Sequence, residues 1–265
     1  MSSIRPPAVA GMFYPADGRE LQTMVADFLR EAATRVPTKT SPPKAIIVPH
    51  AGFIYSGPVA ASAYARLLPA HGRIRRVVLL GPSHRVPLRG LATSSADYFD
   101  TPLGRIPLDH PAIAKVNQLP QVHMLDQAHA LEHSLEVQLP FLQTVLGEFE
   151  LVPLVVGDAS PEEVTEVLET LWGGAETLIV ISSDLSHYHD YDTARHLDNA
   201  TSRAIEALQP EKIHGENACG ARAVDGLLNY ARKHKLSVET VDLRNSGDTA
   251  GPRDQVVGYG AYVFH

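Results

Sequence analysis

Cysteine is nearly missing from this 265-residue chain, where Cys219 stands alone. One thiol can form neither an intramolecular disulfide nor a thiolate metal cluster, and it fits a reducing compartment. Long apolar runs are missing as well. The hydrophobic stretches are four to six residues long, far short of the roughly 20 that a membrane-spanning helix needs. The beginning, Met1-Ser2-Ser3-Ile4-Arg5-Pro6-Pro7, has no basic region leading into an apolar stretch. The expectation is therefore a soluble cytoplasmic protein without a secretory leader. A basic excess is absent too: 23 Lys and Arg against 30 Asp and Glu leave a formal charge of −7. That balance argues against a nucleic acid or an anionic membrane as partner. No Gly-x-Gly-x-x-Gly, P-loop or Gly-x-Ser-x-Gly pattern occurs, so neither a nucleotide site nor a hydrolase triad is implied.

What the sequence has in excess is histidine, thirteen in all, more than Met, Trp and Cys together. Their placement follows the strands. Ala45-Ile46-Ile47-Val48 runs into Pro49-His50, and Val77-Val78-Leu79-Leu80 into Gly81-Pro82-Ser83-His84. Leu151 to Val156 runs into Gly157-Asp158, and Leu178-Ile179-Val180-Ile181 into Ser182-Ser183-Asp184-Leu185-Ser186-His187. Continuous β-branched and Leu runs bounded by Gly, Pro and Ser are the signature of strands buried on both faces. Helical patterns alternate with them at Arg19 to Ala33, Pro58 to Leu68, Glu132 to Leu146, Pro161 to Leu171, Thr193 to Leu208 and Ala218 to Lys235. Two more strands are expected at Ser237 to Leu243 and Val256 to Phe264. The Pro-rich stretch Val36 to Pro43 reads as a loop. The fold expected is one α/β domain over residues 1–265, with a central, largely parallel sheet flanked by helices.

In such sheets ligands bind outside the carboxyl ends of the strands. His50, His84 and His187 all fall there, with Asp184 beside the last. A single strand-end histidine can merely satisfy backbone groups, but three at equivalent positions point to a metal or acid/base site. Imidazole with carboxylate suits Fe(II), Zn(II) or Cu, and two histidines with one carboxylate is the non-haem Fe(II) oxygenase arrangement. A second cluster is Glu132-His133-Ser134-Leu135-Glu136. On a helix its Leu131, Leu135, Leu139 and Leu142 would form a buried stripe. Glu132 and His133, at the helix start, could face the rim and orient ligands or move protons. His-x-x-Glu lacks the partner histidine of a zinc-protease motif, so that reading fails. Cys219 precedes a helix, where the dipole could lower its pKa, although a small buried packing residue is the better reading.

Taken in order, Pro49 to Gly57, Gly81 to His84, Glu132 to Glu136 and Ser182 to His187 resemble blocks of the Memo family, also called AmmeMemoRadiSam system protein B. Arg5 to Pro15 and Val257 to Gly260 are similar to the family's ends. The resemblance implies a fold like that of the class III extradiol ring-cleaving dioxygenases (LigB-like). It also implies a metal at His50 and His84, with Asp184 and His187 nearby, and association with an AMMECR-type protein and a radical SAM enzyme. Animal members carry a cysteine ligand in the segment matching Asn245 to Thr249, where this chain has Asp248. The expected ligands are thus His50 and His84 with Asp248 or Asp184, and the expected metal is Fe(II), ahead of Zn(II) or Cu. His187 and Asp184, with His133 and Glu132, are the candidate acid/base groups. Phe53, Tyr55 and Tyr188 are candidate walls for a small-molecule or peptide ligand. Two functions follow: a metal-dependent oxidoreductase, or a non-catalytic module that binds a metal or a peptide.

Overall fold

The computed structural model describes residues 2–36 and 41–265. Residues 37–40 of the expected Pro-rich loop lie outside that range. The chain runs β1 (Ile4–Arg5), α1 (Gly18–Ala33), β2 (Ala45–Val48), α2 (Phe53–Tyr64), β3 (Arg76–Pro82), β4 (Leu91–Thr93), β5 (Tyr98–Thr101) and β6 (Gly104–Pro107). It continues through α3 (His110–Val116), β7 (Val122–Met124), α4 (Asp126–Ala130), α5 (Leu139–Leu146), β8 (Glu150–Val156), α6 (Pro161–Leu171) and β9 (Thr177–Ser182). The last elements are β10 (His187–His189), α7 (Tyr191–Glu206), α8 (Ala221–His234), β11 (Val238–Asn245) and β12 (Val256–Phe264).

The four apolar runs form the heart of the sheet. β2, β9, β3 and β8 lie side by side, all parallel, and almost every residue in them is buried. Local sequence does not show what surrounds them. β12 joins β2 antiparallel and carries β10 and β11, also antiparallel, while β4 pairs antiparallel with β8 and parallel with β7. The sheet is therefore mixed, with a parallel centre. β1, β5 and β6 make a separate three-stranded sheet. Helices α1, α2 and α5 pack on one another, while α6 packs on α8, which in turn covers β3 and β9. α6 opens as its sequence dictates: Ser160 accepts from the Glu163 N–H and Glu163 returns a bond to the Ser160 N–H, a capping box with Pro161 in the first turn. Among the described residues, no helix is long and apolar enough to cross a membrane.

One expected element is shorter than its pattern. Glu132 to Leu135 is not helical; a 3₁₀ turn covers Glu136–Gln138 and α5 begins at Leu139. The cause is local. Glu132 Oε1 accepts from the next two backbone N–H groups, those of His133 and Ser134, and Pro140 fits only a first helical turn. Leu131 is consequently 66% exposed and leaves the expected stripe, whereas Leu135, Leu139 and Leu142 are buried.

This bent segment is clamped from the N-terminus. The buried Arg5 donates from Nε to the His129 carbonyl at 3.0 Å and from a terminal nitrogen to the Glu132 carbonyl at 2.7 Å, and it pairs with Glu136. Glu136 also accepts from the N–H groups of Ala8 and Val9 and from the Tyr14 hydroxyl.

His129 makes the same region acid-sensitive. It is 2% exposed, and burial lowers its pKa from 6.5 to about 4. Between those values the unfolded chain takes up a proton that the folded one refuses. The stabilisation is complete above pH 6.5 and disappears as the pH falls towards 4. We expect a loss on the order of 3 kcal/mol from this residue in equilibrium unfolding across that window. His129→Gln, which keeps a donor for the Ala92 carbonyl, should flatten the profile by that amount.

Candidate metal centre

Three loops converge above the parallel strands. β2 ends in Pro49-His50, β3 ends in Pro82 and leads to Ser83-His84, and the Arg5-clamped segment delivers His133. One ligand atom from each of His50, His84 and His133 lies within 4.8 Å of the other two. The His84 and His133 rings stack at 4.6 Å between centroids, and His50 meets both edge-on at 5.3 and 5.5 Å. Glycine at position 81 makes the approach feasible, since a Cβ there would lie 2.9 Å from Ser134 Oγ.

The hydrogen bonds settle which nitrogens are free. The buried Tyr64 hydroxyl donates to Gln138 Oε1, and the Gln138 amide donates to the Pro49 carbonyl and to Ser182 Oγ. Ser182 spends its own proton on the Ser134 carbonyl at 2.6 Å. Towards His50 Nδ1, 2.9 Å away, Ser182 can therefore only accept. His50 carries its proton on Nδ1 and leaves Nε2 unprotonated, with the Cys219 sulfur 3.3 Å from it. His84 reaches the same state through a carboxylate, because Nδ1 lies 2.9 Å from Glu132 Oε1. Such partners fix the ring and raise ligand basicity. His133 differs: its Nδ1 is buried and makes no hydrogen bond, although Glu132 Oε1 lies 3.4 Å away.

Burial disfavours the charged forms of His50 and His133. Burial, reinforced by His84, lowers His50 from 6.5 to about 3, and burial with His50 lowers His133 to about 4. Burial pushes Glu132 upward, but hydrogen bonds from the His84 side chain and from the Ser134 and His84 N–H groups prevail, bringing it to about 2. Imidazoles delivered from three loops, one of them backed by an ionised carboxylate, are a donor set that suits a transition metal. The residues fit a metal ion.

The group floors a cavity of about 750 Å³ that also touches Phe13, Tyr55, Asp184, His187, Tyr188 and Tyr259. Asp184 is buried, its Oδ1 accepts from the His50 N–H at 2.7 Å, and burial raises its pKa. His187 is half-buried on β10. Tyr188 stands 72% exposed at the rim with φ at 60°, a strained value for a bulky residue. Two expected residues are placed elsewhere. Phe53 is 1% exposed and packs against Tyr14 and Phe141, so it belongs to the core. Asp248 is outside both the cavity and the histidine group. Its Oδ1 accepts from the Tyr191 hydroxyl of α7 at 2.5 Å and its Oδ2 from the Asn245 N–H at 3.1 Å, so one oxygen ties down α7 and the other closes the local turn.

Three participants escaped the sequence reading. Phe13, in the N-terminal block, lays its ring 4.8 Å from that of His133. The Ser182 and Gln138 relay has no local signature. Cys219 Sγ lies 3.3 Å from His50 Nε2, and burial, followed by the Asp184 carboxylate, pushes its thiol up to about 12, so the lowered-pKa alternative does not hold.

With the geometry in place, similarity to known proteins can be weighed. A sequence model described as Memo-like protein matches residues 5–263. The chain belongs to the Memo family. Relatives include MEMO1 family proteins of Aquifex aeolicus, 38% identical over 98% of this chain and 99% of the relative, and of Ignicoccus hospitalis, 36% identical over 98% of each. A third, from Methanopyrus kandleri, is 35% identical over 98% of each. Among solved structures, the uncharacterized protein JW3007 of Escherichia coli K12 superposes with a TM-score of 0.57 over 83% of this chain and 98% of its own, at 13% identity. That likeness speaks for the fold of this Memo-family chain alone.

The relay carries a prediction. Ser182→Ala removes the acceptor that holds His50 in its Nδ1–H form. Metal affinity, measured by competition with a chromophoric chelator, should fall about 10–100-fold, with the far-ultraviolet circular dichroism spectrum unchanged.

Proposed function

We propose that this Memo-family chain is a metal-dependent oxidoreductase of the non-haem Fe(II), dioxygenase-like kind, acting in the cytoplasm on a small substrate. The observation that carries this reading is the set of three histidines at the floor of a cavity with acid/base groups in its wall. His50, His84 and His133 would hold the metal, and Glu132 and Ser182 would orient the first two. Imidazole donors suit Fe, Zn and Cu alike; Fe(II) is chosen on the resemblance to the extradiol dioxygenases. When bound, Fe(II) would supply Lewis acidity and one-electron redox chemistry. Asp184, whose carboxyl pKa is shifted upward by burial, would take up or return a proton beside His50, and His187 would exchange protons with substrate nearer the opening. Tyr55, Tyr188 and Phe13 would flank the substrate.

The binding-module reading draws on the exposed Met12 and Tyr188 at the rim, each 72% exposed, which suit a peptide or a partner such as an AMMECR-type or radical SAM protein. Oxygen uptake by protein loaded with Fe(II) under anaerobic conditions, then offered a panel of catechols and oxygen, separates the two. Uptake that vanishes in His84→Ala supports the oxidoreductase. No uptake by the parent chain with metal bound would overturn it in favour of the binding module.

A further inference from the structure

A second cleft, of about 550 Å³, opens at the carboxyl ends of β3 and β8. Cys219 is common ground: it lines this cleft and touches His50 on the other side. Val86 and Leu88, from the loop after β3, and Ile213 give the cleft an apolar wall, while Asp158 and the first turns of α8 give it a polar one. The polar wall holds Asp225, which is 8% exposed and whose Oδ1 is fully buried without any hydrogen-bond partner. The adjacent Arg222 favours the charged carboxylate through space but makes no hydrogen bond to it. Arg222 donates to the Ala159 carbonyl at 2.9 Å and pairs with Asp158 at 2.8 Å. Glu211 adds further negative potential, and burial lifts the Asp225 carboxyl to about 7.

A buried carboxyl without a donor is costly, and native proteins keep few of them. Nothing in the fold uses this one: it caps no helix, joins no ion pair and stands apart from the histidine group. Its surroundings define what would satisfy it. The cleft carries two carboxylates against one guanidinium already paired, so its unmet demand is for a cation with N–H donors. The apolar wall asks for a short hydrocarbon body behind that head.

We propose that this cleft is a binding site for a small organic cation, a primary amine or guanidine on a short aliphatic stem. The head donates to Asp225, and the stem lies against Val86, Leu88 and Ile213. The site is distinct from the histidine cavity and does not depend on the function proposed for it.

Isothermal titration of the full-length chain with n-pentylamine hydrochloride, and separately with 1-pentanol, tests the proposal. The amine should bind one to one and at least about 10-fold more tightly than the alcohol, because its charge-assisted hydrogen bond to a carboxylate is stronger than a neutral hydroxyl's. Asp225→Asn should reduce amine binding by at least about the same factor, with a melting temperature at pH 8 no lower than that of the parent, because an unpartnered acid has been removed. Val86→Trp, which fills the cleft without touching the carboxyl, should abolish amine binding while metal binding at the histidines persists. Equal affinity for amine and alcohol, or amine binding unchanged in Asp225→Asn, would overturn the proposal. A lowered melting temperature in Asp225→Asn with unaltered amine binding would assign the carboxyl a structural role instead.

Discussion

Glu136→Ala should lower the free energy of unfolding by about 3–5 kcal/mol in urea denaturation, the cost typical of breaking a buried ion pair by deleting one partner. Glu136 is 1% exposed and accepts from four groups: the Arg5 guanidinium, the Ala8 and Val9 N–H groups and the Tyr14 hydroxyl. Its loss leaves a buried cation and three buried donors without a partner. Arg5 would still reach the His129 and Glu132 carbonyls, but with its charge uncompensated. The damage should not stay local, since the same clamp holds Glu132 and His133 on one side and Phe13 on the other. Arg5→Met together with Glu136→Leu removes both charges at once and should recover only the part of the loss due to the unpaired cation, since the Ala8, Val9 and Tyr14 donors stay without a partner. A single substitution costing under about 1 kcal/mol, the range of an exposed pair, would show that the clamp is solvated.

His133→Ala should lower metal affinity by well over about 100-fold, more than the loss of an orienting partner alone. The ring contributes one of three ligand atoms. Its removal also opens a void against Phe13 and the His84 ring. Asp248→Ala should leave affinity within about twofold, because Asp248 bonds to the Tyr191 hydroxyl and the Asn245 N–H and lies outside the histidine group. The contrast between these two variants distinguishes the present centre from the two-histidine, one-carboxylate arrangement that the sequence alone suggests. Removing the metal with a chelator should leave the fold intact, since the hydrogen bonds of Ser182 and Glu132 hold His50 and His84 in place without it.

The parallel centre of the sheet was legible because strands buried on both faces have no polar side to interrupt them. Ala45–Val48 and Thr177–Ser182 announce themselves as apolar runs, and the loops that follow put His50 and Asp184 on one rim. The antiparallel surroundings were not legible. β12 pairs with β2 across more than two hundred residues, a choice no local pattern encodes. His133 was read as an outer group because Glu132 to Leu146 has helical periodicity. That pattern is overridden by Glu132 turning back onto its own neighbouring N–H groups, a tertiary arrangement supported by Arg5. Asp248 was chosen by its place in the chain, and position in sequence says nothing about whether a carboxylate is already occupied. Cys219 is the sharpest case: its isolation rightly excluded a disulfide, yet gave no hint that its sulfur would lie beside His50.

His50, His84 and His133, the first two donating from Nδ1, are proposed as the metal centre. The most direct test is a crystal structure of the metal-loaded chain, with the ion located by anomalous diffraction at its absorption edge. The account predicts one ion bound by His50 Nε2, His84 Nε2 and a ring nitrogen of His133, with Asp248 still bonded to Tyr191. An ion held by Asp248 together with His50 and His84, with His133 free, would contradict it.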